Sequence, residues 1–209
     1  MTHSLHRRGP VEHLRKDFVL LANSSSINKE RTRPLLAKVA EIVFEVGPSN
    51  TGSSVLRTNM SMGFDREDFI QRITGAHALL SCWSSKDKLR EVLRRLKEAD
   101  LGISCTVSGL IDEVIPMAQE LGMKPHTINL SMGILGKTKK LPDEGILEFT
   151  TMCGHALISA NLVRKGIQDV ARGARTPRET SNMIGKPCVC GIYNLDRSDE
   201  LLVERAAEG

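Results

Sequence analysis

Near the end of the chain, Lys186 to Gly191 read KPCVCG, with Cys188 and Cys190 one residue apart between a proline and a glycine. Thiolates at that spacing are ligands for soft or borderline metals. A second pair with the same spacing, Cys153 and His155, lies upstream in CGH. The two pairs flank two helical patterns, and an antiparallel helix pair would bring those ends back together. Three thiolates and an imidazole are therefore expected to converge. Gly154 and Gly191 would let the backbone fold tightly around an ion, and Pro187 would stiffen the approach to Cys188. Helix N–H groups and basic neighbours would favour the thiolate form.

Cys153, Cys188, Cys190 and His155 are the expected metal ligands, and His155 is also the candidate acid/base residue. A Cys3His set suits zinc. Three cysteines alone suit a four-iron cluster with one iron left open. Spacings of one residue are shorter than the usual zinc knuckles, so the pattern leans to an iron–sulfur cluster. Zinc nucleobase deaminases pair a helix-start ligand with P-C-x-x-C and a nearby glutamate. Here the later motif is one residue shorter, and Ala156 stands where that glutamate is required.

Ser131 to Thr138, SMGILGKT, looks like a phosphate-binding loop ending in Gly136, Lys137 and Thr138. Ser131 replaces the first glycine, and Pro142 and Gly145 break the helix that should follow, so no nucleotide cradle is expected. Lys137, with Lys139 and Lys140, could still face an anion. Asn23, Ser108 and the serines around Cys82 lie at the carboxyl ends of apolar runs, where open parallel sheets bind ligands. Asn23, Ser108 and Lys137 are thus candidate ligand-binding residues. Cys82 and Cys105 sit inside apolar runs and read as packed thiols. No Ser-His-Asp order or nucleophile elbow occurs.

The elements that must position these groups are read from periodicity. DFVLLAN, AHALLSCW, LGISCTVSG and HTINLSMGI are near-continuous apolar runs, as in strands buried on both faces. Between them lie helical stripes: Leu35, Val39, Ile42 and Val46; Leu89, Val92, Leu93 and Leu96; and Ile111 to Leu121, beginning near Asp112 or later because of Pro116. This alternation predicts an α/β fold, a mainly parallel sheet in three layers. The glycine-rich polar stretch 47–63 reads as a long loop. GILEFTT suggests a further strand. A helix follows from Ala156, and another opens at TPRE, where Thr176, Pro177 and Glu179 form a capping box. KPCVCGIYN is expected to be extended, with a last helix from about Ser198.

The chain has 209 residues, enough for one substantial core, read as an arm over 1–16, an α/β unit over 17–145 and a helical metal-binding segment over 146–209. Aromatic residues are only 3% and the net charge only +4, which argues against nucleic-acid binding. Six basic residues between Arg164 and Lys186 suggest a positive rim for a small anion. With no apolar run long enough for a membrane helix, no signal-peptide pattern and an odd five cysteines, a cytoplasmic protein is expected. The functional expectation is a metal-dependent enzyme, lyase or hydrolase in class, acting on a small anionic molecule. The alternatives are a non-enzymatic protein with structural zinc or a carried cluster, and a metal-free phosphate-ligand binder.

Overall fold

The apolar runs beginning at Asp17 and Ala76 are strands, but their directions are not those expected. A computed structural model describes residues 2–208, in which a 3-10 turn (Thr2–His6) and helix α1 (Val11–Leu14) lead into strand β1 (Phe18–Asn23). Helices α2 (Lys29–Thr32) and α3 (Leu35–Val46) follow, then β2 (Asn50–Ser53) and β3 (Thr58–Asn59). Helix α4 (Arg66–Ile73), strand β4 (Ala78–Trp83), helix α5 (Lys86–Ala99), strand β5 (Ser104–Ser108) and helix α6 (Ile111–Glu120) complete the first part. The second part is helical: α7 (Glu144–Thr150), α8 (Ala160–Ala171), α9 (Pro177–Gly185) and α10 (Leu195–Glu208).

Among the described residues the strands form one five-stranded sheet in the order β3-β2-β4-β1-β5, with every pairing antiparallel. The expectation of a mainly parallel sheet is therefore wrong, for a topological reason. β1 and β2, joined through α3, do run parallel, but β4 lies between them. β4 and β5, joined through α5, are likewise parallel with β1 inserted. This split βαβ arrangement converts a parallel chain pattern into antiparallel neighbours.

Both faces of the sheet are nevertheless covered, which is why its central strands read as continuous apolar runs. Phe18, Leu20 and Ala22 of β1, with Leu79 and Trp83 of β4, pack against α3, α4, α5 and Met117. Val19, Ala78, Leu80 and Cys82 face the other way, against α7, α8, α9 and α10. The stripe Leu89, Val92, Leu93 and Leu96 of α5 is buried, opposite a face of Lys, Arg and Glu.

Other departures are local. HTINLSMGI is an irregular, exposed segment, not a strand, and GILEFTT forms helix α7. α6 starts at Ile111 and runs through Pro116. α8 begins at Ala160, capped by Ser159, so Cys153 and His155 lie in the turn before it and not on its first residues. Cys188 to Gly191 is a tight turn, closed by Gly191 N–H donating to Cys188 O at 2.9 Å, where extended chain was expected. The last helix starts at Leu195, three residues early. The capping box of α9 forms as expected, with Pro177 in its first turn.

The stretch 47–63 is not a loop. Its polar residues make a buried strand, β2, with Asn50, Thr51 and Ser53 fully enclosed. Each polar side chain is paired: Thr51 Oγ1 donates to Leu80 O at 2.7 Å, Ser53 Oγ to Ala78 O at 3.3 Å, and Asn50 Nδ2 to Tyr193 O at 3.0 Å. Gly191, at φ +79°, lies directly on this strand, and a Cβ there would overlap the backbone of Thr51 and Gly52. Gly191→Ala should therefore destabilise the fold by about 3 kcal/mol or more, from left-handed strain plus a backbone clash. Thermal unfolding checks this; an unchanged midpoint would show that the turn is free to move off the sheet.

Candidate metal centre

The turn after α7 and the turn after α9 meet on the face of the sheet that carries Cys82. Cys153, Cys188 and Cys190 are all buried, at 1%, 0% and 1% exposure. Cys188 Sγ lies 3.8 Å from Cys190 Sγ, and Cys190 Sγ lies 3.8 Å from His155 Nδ1. The Cys188 thiol also interacts with Cys153. The structure thus brings the four residues together as a run of contacts, Cys153 to Cys188 to Cys190 to His155. His155 is on the surface, over three enclosed sulfurs. As they stand, no three His, Cys, Asp or Glu side chains among the described residues close around one point as a finished metal shell.

The surroundings sort the protons. The hydrogen bond from Cys188 pulls the Cys153 thiol down to about 6, against its burial, and backbone N–H groups of Leu157 and His155 add to the effect. Cys188 is pushed well above the usual thiol range because it must hold the proton it shares with Cys153 and Cys190. The pair therefore favours one thiolate and one thiol. Ala156, at φ +55°, is one of the non-glycine residues in the left-handed region, and its N–H donates to Cys153 O at 3.1 Å. That strained turn aims the N–H groups on either side of it at the sulfur.

Two asparagines from the stretch 47–63, where only a loop was expected, hold the second turn. Asn59 Nδ2 donates to Cys188 O at 2.9 Å and to Lys186 O at 3.3 Å, while Asn50 Nδ2 holds Tyr193 O. The first and second turns are joined by Arg7, whose Nη2 donates to Met152 O at 3.1 Å and also to Ile192 O. Arg7 is ion-paired to Asp17, which Arg197 Nη1 also contacts at 2.5 Å. Arg197 Nη2 reaches Glu148 at 3.2 Å, and Glu148 further receives His13 Nδ1 at 2.7 Å and Arg205 Nη2 at 2.8 Å. The only sequence signal for these residues is charge inside otherwise apolar or helical segments, as in Asp17 ahead of β1.

The remaining candidates do not join the centre. β1 and β5 are antiparallel, with Asn23 opposite Ser104 and Ser108 opposite Val19, so Asn23 and Ser108 lie at opposite ends of the sheet. The carboxyl ends of the strands do not share one edge, and no common polar site forms there among the described residues. Ser108 is buried and bonded to Ser4 Oγ at 2.7 Å. Lys137 is exposed ahead of a 3-10 turn (Thr138–Lys140), with no helix following to face a phosphate. The expected positive rim is largely paired: Lys165, Arg172 and Arg175 surround Asp169, Arg178 meets Asp196 and Asp199, and Arg164 reaches Asp143. Beside Cys153 opens a cleft of about 280 Å³, lined mainly by apolar side chains together with His6, Thr150 and Thr151.

No protein-family model, curated protein or solved structure matches this chain. No described helix is long and apolar enough to cross a membrane.

Burial alone would raise the Asp17 carboxyl, but the Arg7 and Arg197 charges and the bonds from Arg7 and Asn194 outweigh it and hold it below the usual range. A carboxyl depressed in the folded state stabilises above its unfolded value, near 3.9, and that contribution is lost as pH falls through the lower folded value. Acid unfolding should therefore include protonation of Asp17. Asp17→Asn should cost about 3–5 kcal/mol at neutral pH by leaving Arg7 and Arg197 facing an uncharged partner, and should flatten the acid limb. Urea denaturation across acid pH measures both; wild-type stability in the D17N variant would show the cluster to be energetically idle.

Proposed function

We propose that Cys153, Cys188, Cys190 and His155 hold one divalent metal ion, zinc by ligand chemistry, and that the ion ties the turn after α7 to the turn after α9. The carrying observation is the 3.8 Å between Cys188 and Cys190 sulfurs. Two thiolates bound at about 2.3 Å to one tetrahedral ion stand about 3.8 Å apart. Thiolates on different irons of a cluster are separated by the iron–iron distance as well, so this C-x-C turn would have to open. The spacing thus favours a mononuclear ion over the iron–sulfur cluster. The bound ion would replace the shared proton, since each thiol gives up its hydrogen on binding. A reducing, cytoplasmic setting goes with this reading, because the ligands must stay unoxidised.

A second reading, a metal-dependent enzyme acting on a small anionic molecule, is favoured by the exposure of His155 and by the cleft beside Cys153. There His155 would yield the fourth position to substrate and serve as acid/base, while the three buried thiolates kept the ion.

Protein purified without air should contain one equivalent of zinc, and Cys188→Ser should lose it together with a large part of the thermal stability. Chelator-stripped, fully reduced protein that neither rebinds zinc nor gains stability from it would sink the proposal. A brown protein with broad visible absorbance would replace zinc by the cluster. The cobalt form separates the two readings: a visible spectrum that shifts with added phosphate or a small carboxylate marks an exchangeable fourth position, and an indifferent one marks a closed structural site.

A further inference from the structure

The segment 127–132, Thr-Ile-Asn-Leu-Ser-Met, alternates polar and apolar residues without a break, yet belongs to no regular element. Its apolar side chains lie in solvent: Ile128 is 54% exposed, Leu130 68% and Met132 89%, and Leu135 just beyond is 81% exposed. Strict alternation over six residues is the pattern of a strand with one covered face. A contiguous set of large exposed apolar side chains marks a contact surface.

The sheet supplies the matching feature. β5 is its last strand on one side and pairs only with β1, so its outer row of backbone N–H and C=O groups forms an open edge. Along β5 and the residue before it, Ile103, Cys105 and Val107 face the core while Ser104, Thr106 and Ser108 face the other way. A strand laid along this edge with Ile128, Leu130 and Met132 on the core side would continue the apolar row and set Thr127, Asn129 and Ser131 beside the polar one. Charges at the ends agree. Lys124 and Lys137 flank the segment, whereas Asp100 and Asp112 flank β5.

We infer that residues 127–132 add as a strand to the β5 edge of a second copy of this chain. Within one copy the segment stands away from its own edge with its apolar side chains in solvent, so each molecule offers one strand and one vacant edge. A two-fold dimer satisfies both at once, since each copy gives a strand and receives one. This inference is independent of the metal centre, whose residues lie on the other face of the sheet.

Sedimentation velocity of the full chain over a range of concentrations should show a reversible dimer. Leu130→Asp should weaken it at least ten-fold by placing a carboxylate in the apolar row, and Ser131→Pro should do so by removing a strand N–H. Both positions are exposed, so circular dichroism should stay that of the wild type, separating lost association from lost folding. An added peptide of residues 125–134 should dissociate the wild-type dimer by taking the β5 edge. A chain that is monomeric throughout, or a dimer indifferent to both substitutions and to the peptide, overturns the inference. Amide protection of 127–132 in a monomer would also overturn it, by assigning the strand to its own copy.

Discussion

The carboxylate of Asp17, enclosed between Arg7 and Arg197, is the constraint on which the other parts depend. It stands one residue before β1, so it is fixed to an inner strand of the sheet. Through Arg197 it holds α10, and through Arg7 it holds the carbonyls that adjoin Cys153 and follow Cys190. An ion pair this deep is poor evidence for net stability, because both charges were taken out of water. Its effect is on specificity. It links the N-terminal arm, β1, the turn after α7 and the turn after α9 to one another. Asn194 reinforces it, donating to Asp17 at 3.0 Å and accepting from Ser49 and Ser84.

The same rule explains the polar strand β2. A buried strand of Asn, Thr, Gly and Ser has little hydrophobic drive of its own, and its place between β3 and β4 is justified by what its side chains hold. Asn50 and Asn59 replace the water that the Tyr193 and Cys188 carbonyls would otherwise lose, and Gly191 lets the turn's backbone touch that of β2. The sulfur-bearing turn is therefore seated on backbone, by hydrogen bonds, where a layer of apolar side chains would have kept it farther from the sheet.

This division of labour decides what could be read from the sequence. Periodicity reports burial, and burial was legible: the strands near 18–22 and 78–83 and the stripe of α5 are where the pattern places them. Direction is not carried by burial, so an antiparallel sheet covered on both faces reads like a parallel one, and the inserted neighbours of a split βαβ leave no trace along the chain. The segment 127–132 has a strand's pattern and no strand in one copy, because pattern registers what a side chain needs and not whether the chain itself provides it. For the site, the two short Cys/His pairs were visible as ligand types. Arg7, Asp17, Asn59 and Glu148 were not, since they act through partners more than a hundred residues away in most cases, and a single sequence does not display such pairings.

What remains to be reconciled is that one protein keeps five free thiols and uses them differently. Cys82 is enclosed in the sheet with its sulfur 3.5 Å from Tyr193 O, and burial pushes its thiol far up, so it stays protonated and packs as a weak donor. Cys105, on the open edge, is raised to about 11 by burial alone. Cys153 differs first because Cys188 offers it a proton from the side, and then because its turn presents the N–H groups of Leu157 and His155. The neighbouring Cys188 thiol, and after it the polarity of the nearby backbone, thus separate this ligand-like thiol from those that burial keeps protonated. Three elements set that polarity: the left-handed Ala156, which turns N–H groups toward Cys153; Asn59, which takes up the Cys188 carbonyl; and Arg7, which takes up the carbonyls of Met152 and Ile192. With those carbonyls engaged elsewhere, the space between the two turns is left to sulfur and imidazole, the donor set a soft cation requires.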